Sequence, residues 1–113
     1  MSEITTHVLD LSRGLPAAGV DVTLERADTA GHFTAAGRAT TDAEGRVRSF
    51  GPSADGGAGR YRLTFRVSEY FAASGAECFF PEVQILFEVR STTQPHHVPL
   101  LLSPFGYSTY RGS

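Results

Sequence analysis

Hydrophobic and polar residues alternate along most of the chain, which is the pattern of half-buried β-strands. The alternation is clearest in VDVTLER, YRLTFRV and VQILFEV. In the first stretch Val20, Val22 and Leu24 share one face, while Asp21 and Thr23 lie on the other. The residues predicted to face inward in the other two stretches are Tyr61, Leu63, Phe65, Val67, Val83, Ile85, Phe87 and Val89. This period of two predicts strands with one face in a core and one in solvent.

Clusters of turn-forming residues separate these strands, as in RGLPAAG, DAEGR and GPSADGGAG. One stretch, SEYFAASGA, breaks the period and predicts about two helical turns. Ser68 is the predicted N-cap of this helix, and Gly75 marks its end. Seven or eight short strands with regular turns and one short helix predict an all-β sandwich with Greek-key character.

The stretch HHVPLLLSP contains three consecutive leucines, Leu100 to Leu102, so both faces of this strand are apolar. One face can enter the sandwich core, and the other needs cover from a second subunit or from the helix. The pattern favours a second subunit. Pro99 has no N–H to donate, which predicts a position at a strand start or a sheet edge.

Length and composition restrict the class of protein. A chain of 113 residues fits one domain, residues 1–113, and a net charge of −2 gives no electrostatic footprint for nucleic acid or an acidic membrane. No apolar run approaches the roughly 18 residues of a membrane span. The first ten residues lack a basic region followed by an apolar one, so we expect no secretory signal. The single cysteine, Cys78, excludes an internal disulfide and is interpreted as a small buried hydrophobe. Together these features predict a cytoplasmic protein.

Histidine and arginine are the candidates for chemistry. Zinc-ligand spacing and a G-x-S-x-G nucleophile motif are both missing from the sequence. A neutral imidazole can accept a proton from water near pH 7. Adjacent strand residues point to opposite faces, so only one of His96 and His97 can readily join His7 in one site. His32 follows a glycine in a turn, and we interpret it as a surface residue. Arginines could bind an anionic substrate, and the candidates are Arg46, Arg48 and Arg111.

Four motifs in order carry a resemblance that spans nearly the whole chain. THVLD, TTDAEGR, FFPE and HVPLLLSPFGYSTYRGS resemble the corresponding segments of the transthyretin-like 5-hydroxyisourate hydrolases. The ending YRGS is the most specific of them, because it separates these hydrolases from transthyretin, the hormone carrier with the same sandwich.

The resemblance implies a sandwich of eight strands in two four-stranded sheets, assembled as a homotetramer that is a dimer of dimers. Active sites would lie at the dimer–dimer interface. The implied reaction in urate degradation is the hydrolytic opening of 5-hydroxyisourate to 2-oxo-4-hydroxy-4-carboxy-5-ureidoimidazoline, without a cofactor or metal. The alternatives are a transthyretin-type carrier without catalysis and a purely structural sandwich.

The resemblance also implies the site residues. The catalytic set is His7, Arg46, His97 and Ser113, and the substrate-binding set is His7, Arg46, Tyr110, Arg111 and Gly112. His7 would activate water, and His97 would stabilise the intermediate or protonate the leaving nitrogen. His96, one position before the matched histidine, would serve as a neutral control.

Strand alternation constrains how the tail can contribute. It places Arg111 and Ser113 on one face and Tyr110 on the other. Either the tail bends at Gly112, or its two faces serve different neighbours.

Overall fold

The computed structural model describes residues 3–113, which form nine strands, one α-helix and one short 3-10 helix. The strands are β1 (Ile4–Asp10), β2 (Leu15–Pro16), β3 (Asp21–Ala27), β4 (Phe33–Thr40), β5 (Arg46–Val47), β6 (Gly59–Phe65), β7 (Val83–Val89), β8 (His96–Ser103) and β9 (Gly106–Thr109). The helix α1 spans Val67–Ala73, and the 3-10 helix spans Pro52–Ala54.

The strands form two sheets. The first sheet has the order β2-β1-β8-β9, with β5 also paired to β1, and the second has the order β4-β3-β6-β7. Only the β1–β8 pair is parallel among the strand pairs of residues 3–113. The predicted all-β sandwich with one short helix is therefore confirmed.

The number of strands differs from the expected eight, because two short strands share one edge of β1. β5 pairs with Thr6 and His7, and β2 pairs with Leu9 and Asp10. Within residues 3–113 the first sheet thus contains five strands and the second contains four, although the first sheet is only four strands wide. Pro16 in β2 illustrates why this edge is interrupted, since proline cannot donate to a continuous ladder.

The core lies between the inner faces of the two sheets. The alternation predicted it well, since Val22, Leu24, Leu63 and Phe65 are fully buried while their sequence neighbours are more exposed. The last apolar strand contributes Leu100 and Leu102, which are also buried. Burying aliphatic and aromatic side chains of this size stabilises the fold by about 1.5–3 kcal/mol each.

The helix begins two residues earlier than predicted. Its N-cap is Arg66, which makes no side-chain cap, and Ser68 lies inside the first turn, so the N-cap prediction was wrong. The physical reason is Val67, which is 1% exposed and continues the inward-facing row of β6 into the core. The predicted end is correct, because Gly75 follows the helix with φ 74°. No helix in residues 3–113 has the length and apolar character needed to cross a membrane.

The position predicted for Pro99 was wrong. It is the fourth residue of β8, which lies between β1 and β9. The Pro99 carbonyl accepts a hydrogen bond from the Thr109 hydroxyl (2.8 Å), so the side of Pro99 without an N–H faces the C-terminal tail. There β9 ends at Thr109, and pairing resumes only as an isolated bridge between His97 and Gly112. A central strand accommodates this proline because its partner leaves the ladder beside it.

Candidate functional site

Strand register brings three of the predicted site residues to the outer face of the first sheet, the face that points away from the core. In β1 the side chains of Thr6 and Val8 are buried, so His7 between them lies on the outer face. Arg46 of β5 is the direct cross-strand partner of His7. On the other side of β1, β8 pairs in a register that aligns Thr5 with His97. His7, Arg46 and His97 are therefore neighbours on one surface.

The turn before β5 places Arg46 on this surface. The Asp42 carboxylate oxygen Oδ1 accepts hydrogen bonds from the N–H groups of Glu44 and Arg46, both at 2.9 Å. The Gly45 carbonyl accepts a bond from the Val8 N–H (2.7 Å), which attaches the turn to β1. Gly45 has φ 77°, a conformation that side-chain-bearing residues rarely adopt.

The hydrogen bond of His7 determines its tautomer. His7 Nε2 lies 2.9 Å from the Glu44 carbonyl oxygen. A carbonyl oxygen can only accept, so Nε2 carries the hydrogen in the neutral ring, and Nδ1 holds the lone pair. Within residues 3–113 Nδ1 makes no hydrogen bond and is available to a substrate or water.

His97 is held by a different partner. Its Nδ1 lies 2.8 Å from the Thr5 hydroxyl, which can donate or accept. Burial lowers the pKa of His97 below its usual value, and the positive charge of Arg46 and the neighbouring His7 lower it further. Because these effects disfavour the imidazolium form, His97 is neutral at pH 7.

The tail packs against His97 without bending at Gly112. The Gly112 N–H donates to the His97 carbonyl at 2.8 Å, and Gly112 does not adopt a positive φ. Its small size matters instead, because a Cβ at this position would lie 2.5 Å from Cδ2 of the His97 ring. Of the two alternatives for the tail, the structure favours the one in which its faces serve different neighbours.

The other face of the tail lies beside His96. The Arg111 guanidinium contacts the Gln94 side-chain oxygen at 3.3 Å and lines, with His96, a cavity of about 160 Å³ between the sheets. His96 is 5% exposed, and within residues 3–113 its Nδ1 has no hydrogen-bond partner. Burial lowers the pKa of His96, and the Arg111 charge lowers it further. Ser113 lies beside Gln94 and Pro95.

The remaining candidates lie outside this cluster. Arg48 is exposed and forms ion pairs with Glu44 (2.9 Å) and Asp42 (4.0 Å), whereas Arg46 makes no ion pair within residues 3–113. His32 is 81% exposed, as predicted for a surface residue. Cys78 is half-buried and packs at the margin of the core. Across residues 3–113, no three His, Cys, Asp or Glu side chains are grouped as metal ligands.

The sequence did not predict two groups that form hydrogen bonds with the histidines, the Thr5 hydroxyl and the Glu44 carbonyl. Thr5 carries a detectable signal, because it lies two residues before His7 and so shares its face. The Glu44 carbonyl carries none, since a backbone atom has no residue-specific signature and depends on the turn that presents it.

Comparison with known proteins places the chain. A model of the HIUase/Transthyretin family matches residues 4–112. The chain belongs to this family. The 5-hydroxyisourate hydrolase of Caulobacter vibrioides is 47% identical to it over the full length of both chains. The solved structure of Klebsiella pneumoniae 5-hydroxyisourate hydrolase is 41% identical, covers all of both chains and has a TM-score of 0.87. Sea bream transthyretin in complex with thyroxine has a TM-score of 0.90 at 26% identity, covering 96% of this chain and 93% of that one.

The stability of this family member should fall in mild acid because of two histidines whose pKa values are lowered by burial. The pKa values of His96 and His97 are lowered in the folded chain, so the unfolded chain binds protons more readily. The free energy of unfolding is therefore greatest above about pH 6.5 and falls as the pH drops below that value. Chemical denaturation at several pH values should show this slope, which His96→Leu should reduce. Exposed His32→Gln is the control, and an undiminished slope in His96→Leu would contradict the assignment.

Gly112 should not tolerate even one added carbon. Gly112→Ala should displace the His97 ring or the tail, lowering the free energy of unfolding by about 1–3 kcal/mol. The ring signals of His97 in NMR spectra should shift. Gly106→Ala, in the same C-terminal hairpin, is the matched control, because the nearest atom to its added Cβ is 3.9 Å away. Unmoved His97 signals in Gly112→Ala would refute the close contact.

Proposed function

We propose that this chain hydrolyses 5-hydroxyisourate to 2-oxo-4-hydroxy-4-carboxy-5-ureidoimidazoline, a step of urate degradation. The observation that carries the proposal is the register that places His7, Arg46 and His97 on one open face. Full-length identity of 47% to a 5-hydroxyisourate hydrolase supports the same activity. The alternative, a carrier without catalysis, has weaker support, because the transthyretin match is 26% identical.

Arg46 binds the substrate in this proposal. The substrate is a flat, polar and readily ionised heterocycle, and a guanidinium presents paired N–H donors to a carbonyl or anionic edge. No carboxylate within residues 3–113 forms an ion pair with Arg46, so its donors remain available. Arg48, which pairs with Glu44, has no such role.

His7 acts as the general base. Its Nε2–H is held by the Glu44 carbonyl, which leaves the Nδ1 lone pair to take a proton from water. The resulting hydroxide oxygen forms a bond to the lactam carbonyl carbon, and the carbonyl electrons move to oxygen. The bond to Glu44 keeps the ring hydrogen on Nε2. The other tautomer would carry its hydrogen on Nδ1 and could not take the proton there.

His97 completes the reaction as a neutral imidazole. With Nδ1 held by Thr5, its other nitrogen can donate to the developing oxyanion or to the lactam nitrogen. Collapse of the tetrahedral intermediate breaks the carbon–nitrogen bond. The proton that His7 took from water passes to the nitrogen as it leaves. The acid formed at the former carbonyl carbon then releases its remaining proton to solvent and becomes the carboxylate of the product.

The tail closes the site. Tyr110 contributes a hydroxyl on the side of His97, and Gly112 allows the tail to approach the imidazole ring. Arg111 and Ser113 contribute from the other side, where they lie near Gln94. In this proposal Ser113 donates a hydrogen bond at the rim of the cleft, and water remains the attacking nucleophile.

We further propose that residues 1–113 form one hydrolase domain that assembles in the cytoplasm as a homotetramer, a dimer of dimers. The outer faces of the first sheets would meet at the dimer–dimer interface and enclose the cleft. Support comes from Leu101 and Leu9, which are only half-buried within one chain, and from Tyr110, which is 58% exposed. Apolar side chains around a polar site are typical of a surface that a partner covers.

The activity can be tested with 5-hydroxyisourate generated freshly from urate, by following its absorbance decay with and without the protein. His7→Ala, Arg46→Ala and His97→Ala should each lower kcat/KM by about 10²–10⁴. Deletion of residues 110–113 should abolish turnover while the circular dichroism of the fold is retained. Decay at the spontaneous rate with the intact chain would overturn the proposal.

The control for these variants is His32→Ala, since this side chain is exposed and remote from the cluster. His96, predicted above as a neutral control, is unsuitable because it is buried beside the tail. Full activity in His7→Ala together with loss in His32→Ala would refute the site assignment.

The assembly has its own test. Leu101→Arg should convert tetramers to dimers in analytical ultracentrifugation, because it places a charge on the outer face of the first sheet. Thr23→Arg, on the outer face of the second sheet, is the matched control and should remain tetrameric. Tetramers in Leu101→Arg would place the interface elsewhere.

A further inference from the structure

We propose that Asp42 is a positioning residue whose carboxylate orients both His7 and Arg46 without touching the substrate. The inference rests on the proposed function, since it concerns the same site. Asp42 lies outside the cluster, in the turn that joins β4 to β5. Arg46 depends on that turn through its own backbone, and His7 depends on it through the Glu44 carbonyl.

Asp42 stabilises the turn from both its side chain and its backbone. Its Oδ1 accepts hydrogen bonds from the N–H groups of Glu44 and Arg46 at 2.9 Å. Its backbone N–H donates to the Arg46 carbonyl at 3.0 Å, and its carbonyl accepts from the Gly45 N–H at 2.9 Å. Four bonds thus converge on Asp42, and two of them fix the backbone of Arg46. The bond from the Arg46 N–H lowers the pKa of Asp42, so the carboxylate is ionised at neutral pH.

The turn is bonded to β1 through two adjacent carbonyls. The Glu44 carbonyl accepts from His7 Nε2, and the Gly45 carbonyl accepts from the Val8 N–H. A Cβ on Gly45 would overlap the Val8 carbonyl oxygen, so the turn has no room to shift toward the strand. A tilt of the Glu44 peptide therefore breaks its bond to the His7 ring, because the turn cannot move toward β1 to restore that bond.

The chain contains a second turn of the same construction, which has no contact with the site. Asp28 Oδ1 accepts from the N–H groups of Ala30 and His32 at 2.9 Å. The backbone bonds are repeated too, from Asp28 N–H to the His32 carbonyl (2.8 Å) and from Gly31 N–H to the Asp28 carbonyl (3.0 Å). This turn joins β3 to β4. Comparing the two turns separates the stability that such an aspartate provides from any effect on the site.

The substitutions that test the inference are Asp42→Asn, Asp42→Glu and Asp28→Ala. Asparagine keeps an oxygen at the same distance from the backbone but loses the charge, whereas glutamate keeps the charge and moves the oxygens by one carbon. We expect Asp42→Asn to retain kcat/KM within about threefold and Asp42→Glu to lose about 10²-fold, as for a base displaced by about 1 Å. Asp28→Ala should retain full activity. Loss in Asp42→Asn with retention in Asp42→Glu would show a charge effect and overturn the proposal.

A spectroscopic measurement distinguishes positioning from a general loss of structure. The side-chain nitrogen shifts of His7 should report the Nε2–H tautomer in the intact chain and in Asp42→Asn. In Asp42→Glu they should report a mixture of tautomers, while the shifts of His97 remain unchanged. A single tautomer in all three proteins, or the Nδ1–H tautomer in the intact chain, would refute the inference.

The two measurements also separate failure of this inference from failure of the proposed function. If the intact chain does not accelerate 5-hydroxyisourate decay, the proposed function fails, and the His7 tautomer still decides whether Asp42 orients the ring. If the intact chain is active and Asp42→Glu equals Asp28→Ala in kcat/KM, the function stands and the positioning role fails.

Discussion

The parallel pairing of β1 with β8 is the constraint on which the candidate site depends. It joins segments about 90 residues apart, and the Thr6 hydroxyl reinforces it from the buried side by donating to the Val98 carbonyl at 2.6 Å. A one-residue slip of β8 would reverse its faces, replacing His97 on the outer surface with His96. Such a slip would also expose Leu100. The burial of apolar residues such as Leu100 therefore determines that His97, and not His96, faces the site.

The outer faces of the two sheets have different chemistry. The second sheet carries cross-strand ion pairs, Arg38 with Asp21 at 2.6 Å and Arg62 with Glu25 at 2.8 Å. These charges are mutually compensated and suit contact with water, although exposed pairs of this kind contribute little to stability. The first sheet instead presents the histidine cluster with half-buried apolar neighbours such as Leu101. This asymmetry separates a solvated surface from one suited to a ligand or a partner.

Local periodicity explains most of what could be predicted from the sequence. Alternation identified the inward residues of β3, β6 and β7, because side-chain direction in a strand depends only on position parity. It could not locate Pro99, whose central position depends on the tail leaving the ladder beside it. It also misplaced the N-cap, because the burial of Val67 is a tertiary effect. The cluster of His7 with Arg46 was accessible only through the resemblance, since strand order is not a local property.

The adjacent histidines and the tail beside them obey one geometric rule. Neighbouring residues in a strand point to opposite faces, so His96 faces the interior and His97 faces the site. The tail repeats this division, with Gly112 against the ring of His97 and Arg111 beside His96. A side chain larger than glycine would collide with the first ring, and the cation disfavours protonation of the second. Residues 111 and 112 are therefore constrained from both faces of the sheet.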